Sequence, residues 1–107
     1  MWGWPFQSGG EVWLVDLGLA AKVRPCLVLS VPFQDEDRAL VTVIPHTTSP
    51  RNSRFEVPAK ARFLRAGVFD GQSIVTIPSA KLIRKLGILS SEQVAGIEKA
   101  VRSWLGL

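Results

Sequence analysis

The chain predicts a mainly β, α+β fold: a small antiparallel sheet closing toward a barrel, followed by one C-terminal helix. Three observations predict it. Short apolar, β-branched runs recur at close spacing between residues 11 and 89, punctuated by Gly, Pro, Asp and Asn. Residues 90–107 change to a helical period. The 107 residues are 47% hydrophobic and 21% charged, which suits one domain with its own core and argues against disorder, a second domain, a repeat array or a coiled coil.

The elements follow in order. Residues 1–9 read as an aromatic N-terminal extension, and 10–107 as a single domain. Trp2, Trp4 and Phe6 are too apolar for a solvated tail and are expected to pack on the body or on a partner. Glu11-Val-Trp-Leu-Val-Asp-Leu17 alternates as a strand, and a turn over 18–23 leads to a second strand from Pro25 to Val31. Pro32 to Arg38 reads as a solvated hairpin tip. Its Asp35-Glu36-Asp37 triplet is expected to be surface rather than a metal site. Ala39 to Pro45 is apolar or β-branched almost throughout, as a central strand should be.

A polar, loop-like run follows from His46 to Ser53. Arg54-Phe-Glu-Val57 alternates as a short strand that Pro58 ends. Residues 67–70 and 73–77 are two strand pieces broken at Gly71. Residues 78–81 read as a turn, and 82–89 contain a short strand around Gly87. Ser90 with Gln93 matches a capping box. Val94, Ile97, Val101, Trp104 and Leu105 then mark one apolar helix face, and Gly106 a stop.

The charge balance narrows the function. The net charge is +4 and the pI near 9.8, a balance that favours an anionic partner. One cysteine and one histidine exclude the usual structural zinc sites. Cys26 lies in an apolar run and reads as a small buried hydrophobe rather than a reactive thiol. The sequence contains neither a dinucleotide-binding glycine motif nor a phosphate-binding P-loop. No apolar stretch is long enough to cross a membrane, and no signal peptide is apparent, so a cytoplasmic protein without membrane contact is expected. From Arg51 to Lys85 eight basic residues face two acids, just after a hydroxyl-rich loop. Hydroxyls, Asn and Arg are the groups that hold phosphate oxygens of a nucleic-acid backbone.

Several segments taken together resemble one family. Gly10-Glu-Val-Trp-Leu-Val-Asp-Leu17 followed by Arg24-Pro-Cys-Leu-Val-Leu-Ser30 is similar to the opening of MazF/PemK-type toxins. Val41-Thr-Val-Ile-Pro-His-Thr-Thr-Ser49, Phe55-Glu-Val57, Asp70 to Ile77, Leu86-Gly-Ile-Leu-Ser90 and the terminal helix follow in the family's order. The resemblance spans nearly all of residues 9–107. It implies an SH3-like barrel of the CcdB/PemK type, a homodimer, and an endoribonuclease that cleaves single-stranded RNA with no metal and no cofactor. It also implies a cognate antitoxin whose acidic tail covers the RNA groove. The family's catalytic pair carries over as Arg24 and Thr47.

Other roles are weighed beside that pair. His46, at a place where the family is usually aliphatic, is a candidate proton acceptor or else a hydrogen-bonded, half-buried histidine. Strand alternation points it away from Thr47. Thr48, Ser49, Arg51, Asp70 and Gln72 are candidate RNA contacts, with Asp70 alternatively capping a turn. The sequence also departs from the family. The 16–24 connection is short, and the D-Q-x-R-T-I strand is altered, so that Val75 stands in place of an arginine if Thr76-Ile77 fixes the register. Two further readings stay open on the same fold: a non-enzymatic poison of DNA gyrase resembling CcdB, and an inactive RNA-binding relative.

Overall fold

Alternation in the first run gives β1 (Glu11–Asp16), which pairs antiparallel with β2 (Val23–Val28). A computed structural model describes residues 9–107. The expected aromatic extension, including Trp2, Trp4 and Phe6, therefore lies almost wholly outside the described residues. β3 (Leu40–Thr47) is central, as its composition demands. It is followed by β4 (Glu56–Pro58), β5 (Val68–Asp70), β6 (Val75–Pro78), β7 (Leu82–Ile88) and α1 (Ser91–Leu105). The sheet order is β4-β5-β3-β2-β1-β7, with β6 also on β3 and every pairing antiparallel. Among the described residues β4 and β7 end the sheet without joining, so it curls toward a barrel without closing.

Several segments differ from the sequence expectation: the strand expected over 54–57 runs Glu56–Pro58 and includes Pro58, the piece expected over 73–77 runs Val75–Pro78, and three others shape the site or the sheet edge. β2 starts at Val23, which places Arg24 inside the strand, and it ends at Val28 rather than Val31. β3 runs two residues past Pro45, taking His46 and Thr47 out of the expected loop. The cause is a partner distant in sequence: His46 pairs with Phe69, and Thr47 with Val68. Finally, 82–88 is a full strand that bulges twice against β1.

The edge of β3 is shared. Leu40–Val43 pairs with β6 and His46–Thr47 with β5, and the 3-10 turn Gly71–Ser73 bridges the fork between the two partners. The pleat then sorts side chains into two clusters. Val12, Leu27, Ile44 and Phe69 meet Leu89, Ile97 and Val101 on the face that α1 covers. Trp13, Val15, Cys26, Val28, Val41, Val43 and Ile77 fill the other. Burial pushes the Cys26 thiol up to about 12, with Arg24 opposing, so it is an inert core group. Glu11, also buried, is satisfied: Trp13 Nε1 donates to its Oε1 at 2.8 Å, and Lys85 Nζ lies 3.4 Å from Oε2.

The helix begins where expected. Ser90 Oγ accepts from Gln93 N at 3.1 Å and Gln93 Oε1 accepts from Ser90 N at 3.0 Å, completing the capping box. Gly106, at φ 73°, ends the helix in the left-handed region. Its expected apolar face is buried only through Val101. Trp104 and Leu105 are 43% and 50% exposed because the last turn outruns the sheet, although Trp104 keeps an edge contact with Phe55 at 5.4 Å.

Candidate functional site

The chemistry gathers where β2 and β3 part. Their ladder pairs Val28 with Val43, Leu27 with Ile44 and Cys26 with Pro45, and ends there. The same register carried two residues further sets Arg24 against Thr47, both on the face of Cys26 and Pro45. Beyond the last ladder pair a groove of about 700 Å³ opens beside the fork of β5 and β6. Arg24, Pro45 and Thr47 form one side. Asp70, Gln72 and Ser73 stand opposite, on the end of β5 and its turn. Leu17 with Val75 and Ile77 of β6 gives an apolar floor, and the 48–53 loop supplies Ser49, Arg51 and Ser53 at the rim.

Hydrogen bonds fix the polar groups. Thr47 Oγ1 accepts from Ser49 N at 3.1 Å, which orients the hydroxyl from behind. Glu56, the cross-strand neighbour of Asp70, organises the rim. Its carboxylate accepts from Arg51 N at 3.0 and 3.1 Å and from Ser53 N at 2.9 Å. The Arg51 amide first, with those of Ser53 and Asn52, holds that carboxyl below the usual carboxylate range. Asn52 itself takes a left-handed φ of 63° to turn the loop.

Asp70 caps a turn, one of the two roles expected of it, and it also faces the groove. Its Oδ1 accepts from Gln72 N at 3.1 Å and its Oδ2 from Ser73 Oγ at 2.7 Å, so it caps the 71–73 turn while lining the groove.

His46 borders the groove but is only 3% exposed. Its ring meets Phe69 edge-on at 5.1 Å, and its Nε2 is buried without a hydrogen-bond partner. The expected hydrogen-bonded, half-buried histidine is thus a fully buried one with an orphan nitrogen. Burial first, and Arg24 second, push its pKa below the ordinary imidazole value of 6.5, so the ring is neutral near pH 7. Gly67 makes this packing feasible: a Cβ there would collide with the Thr47 carbonyl oxygen and come within 2.8 Å of His46 Cε1.

The fold therefore brings Arg24, Thr47, Ser49, Arg51, Asp70 and Gln72 to one groove, with His46 at its border. Thr48 is exposed and does not line it. Leu17, Pro45, Ser53, Glu56, Ser73, Val75 and Ile77 line the groove without having been expected as site residues. Alternation was the signal for Glu56, since burying Phe55 and the half-buried Val57 leaves it on the groove side. Among the described residues no set of three His, Cys, Asp or Glu side chains is gathered to hold a metal ion, and no helix is long and apolar enough to cross a membrane. The Asp35–Asp37 triplet is an exposed turn in which Asp37 Oδ2 accepts from Gln34 N at 2.9 Å. A guanidinium and an anchored hydroxyl at the mouth of a grooved sheet are suited to gripping the oxygens of a phosphodiester.

The chain is similar in sequence and fold to solved toxins. An endoribonuclease from a mycobacterial species, solved in complex with its cognate antitoxin, is 25% identical, with 97% of each chain covered and a TM-score of 0.79. The Mycobacterium tuberculosis toxin MazF-mt6 is 25% identical over 91% of this chain and 97% of its own, at a TM-score of 0.72. MazF from Deinococcus radiodurans shares the fold at a TM-score of 0.80 and 23% identity, covering 97% of this chain and 99% of its own. The family profile described as PemK-like, MazF-like toxin of type II toxin-antitoxin system matches residues 8–105, and the chain belongs to that family.

Proposed function

We propose that the protein is a sequence-selective, metal-independent endoribonuclease that cleaves single-stranded mRNA and acts as the toxin of a toxin–antitoxin pair. The ribose 2′-oxygen attacks the adjacent phosphorus and the bond from phosphorus to the 5′-oxygen breaks. The products are a 2′,3′-cyclic phosphate and a 5′-hydroxyl, with the 2′-OH proton leaving and one proton taken up by the 5′-oxygen. Negative charge gathers on the non-bridging oxygens in the transition state. Arg24 answers it with a planar two-donor fork, and Thr47 aligns the phosphate or the 2′-OH through its hydroxyl. A guanidinium carries only donors and has no acceptor for the 2′-OH proton, so Arg24 acts by charge.

The single observation supporting this reading is the placement of Arg24 and Thr47 on one face, at the parting ends of neighbouring strands, inside one groove. The working form is a homodimer in the cytoplasm, where mRNA is found, and the partner is an antitoxin whose acidic tail competes with RNA for the groove.

The test is incubation of purified protein with a long mixed-sequence RNA in EDTA beside Arg24→Ala and Thr47→Ala. Wild type yields discrete fragments ending in cyclic phosphate, and Arg24→Ala loses on the order of 10²–10³-fold in rate. Equal cutting by wild type and Arg24→Ala removes Arg24 from the mechanism. Intact RNA together with blocked DNA supercoiling points instead to the gyrase poison.

A further inference from the structure

Within the groove the polar groups are unevenly engaged. Both Asp70 oxygens are taken by Gln72 N and Ser73 Oγ, and Glu56 is taken by the Arg51 and Ser53 amides. The Gln72 carboxamide stands apart from these bonds. It is exposed on a turn held from below by Asp70, and its side chain makes no hydrogen bond among the described residues. Beside it lies an apolar surface. Val75 is 38% exposed and lines the same groove, where the half-buried Leu17 and the buried Ile77 are its apolar neighbours. The Val43–Val75 and Val41–Ile77 pairings keep both β6 side chains on the face that carries Pro45 and Thr47.

This division assigns different parts of a nucleotide to different parts of the groove. Charge sits at Arg24 and Arg51, which suit phosphate. The strip along β6 offers neither charge nor hydrogen bond, so a phosphate placed there would lose water for nothing, whereas the flat face of a base loses little. Val43 is four residues from Thr47 along β3, about 13 Å at the usual strand rise, so the strip serves a flanking nucleotide rather than the scissile phosphate itself.

We propose that Val75 and Leu17 form a shelf for one flanking base of the RNA, and that the Gln72 carboxamide reads the N7 edge of that base as adenine. The inference rests on the endoribonuclease reading and names its selectivity. On the edge of a purine that carries N7, a carboxamide's acceptor and donor match the N6 amino group and N7 of adenine, whereas the Watson–Crick edges of all four bases each pair a donor with an acceptor and are not told apart by it. Guanine presents two acceptors on that edge, and the pyrimidines have no ring nitrogen there. The shelf holds the ring in plane, and the Asp70 cap holds residue 72 still enough for the match to select.

The experiment reads cut sites from an RNA pool with randomised flanks, then kcat/KM on short RNAs varied at one position. Wild type should prefer adenine at one flanking position by roughly five- to a hundredfold, the range expected of one two-bond base contact. Gln72→Ala should flatten the preference at that position alone, and Val75→Arg should turn it toward guanine, which arginine reads best. Both residues are exposed, so far-ultraviolet circular dichroism should show both variants folded. Adenine selectivity absent at every flanking position, or unchanged in Gln72→Ala, overturns the proposal while leaving the nuclease intact. A wild type that cuts no RNA at all removes the endoribonuclease reading, and the shelf with it.

Discussion

On the face of the sheet that α1 covers, Ile44, Phe69, Ile97 and Val101 are all buried, and His46 Nε2 is the one buried side-chain polar atom without a hydrogen-bond partner among the described residues. On the other face the same strands begin with Val41, Val43, Cys26 and Val28 and then change character at Pro45, beyond which Arg24 and Thr47 stand in the groove. A single strand, β3, contributes to both. The comparison teaches that the core and the site are one pleat read at two depths, with β2, β5 and β6 deciding where the apolar packing stops. The sealed face sets stability, and the open face sets chemistry.

The largest effect that can test this separation is on the sealed face. Ile97 is fully buried, and Ile97→Ala leaves a cavity expected to cost about 2–5 kcal/mol. In a domain of this size that lowers the melting temperature on the order of 10 °C or more. RNA cleavage per folded molecule, measured well below the melt, should stay within about twofold, as for distant independent sites. A large loss of cleavage in a demonstrably folded Ile97→Ala protein would show that the two faces are coupled through β3.

Gly67→Ala tests the place where the two faces touch. The added methyl meets the Thr47 carbonyl on one side and His46 Cε1 on the other, so the end of β3 must shift. Overpacking of this kind costs about 1–3 kcal/mol. Because the displaced residue carries the hydroxyl in the groove, cleavage should fall roughly ten- to hundredfold beyond any loss of folded protein. Thermal melts paired with single-turnover cleavage separate the two contributions. Full activity in Gly67→Ala would mean that the position of Thr47 tolerates a shift the mechanism should not.

Much of this architecture was legible in the residues, and the exceptions have a common cause. The capping box, the helix stop and the apolar centre of β3 are local signals, and they fold as read. The end of β3 was not legible, because His46 and Thr47 are polar and their strand partners lie more than twenty residues away in β5. Alternation identified one face of β6 without distinguishing a core from a groove floor, so the exposure of Val75 had to come from the fold. Trp104 and Leu105 keep the helical period but have no sheet left to cover them. Arg24 and Thr47 were reached through family resemblance. Only the register of β2 on β3 supplies the physical reason that residues twenty-three apart in sequence meet.

The smallest expected effect concerns the one buried side-chain polar atom left without a partner among the described residues. His46 is neutral when folded, because burial and then the nearby Arg24 disfavour its charged form. The unfolded chain takes up the proton near 6.5, before the folded chain does. This contribution to stability is therefore complete above 6.5 and declines as the pH falls through 6.5 toward the lower folded value. Glu56 has a depressed carboxyl and adds its own loss only at more acid pH, below 4.5. Melting curves from pH 8 to pH 5 should show wild type losing stability faster than His46→Leu, which keeps the ring's approximate volume and has no proton to bind. Since Nε2 has no partner to lose, the leucine variant should be no less stable than wild type at the acid end. Parallel curves for the two proteins would mean that His46 finds, in solution, a partner for its proton on the covered face, and the division between a dry face and a working face would have to be redrawn around it.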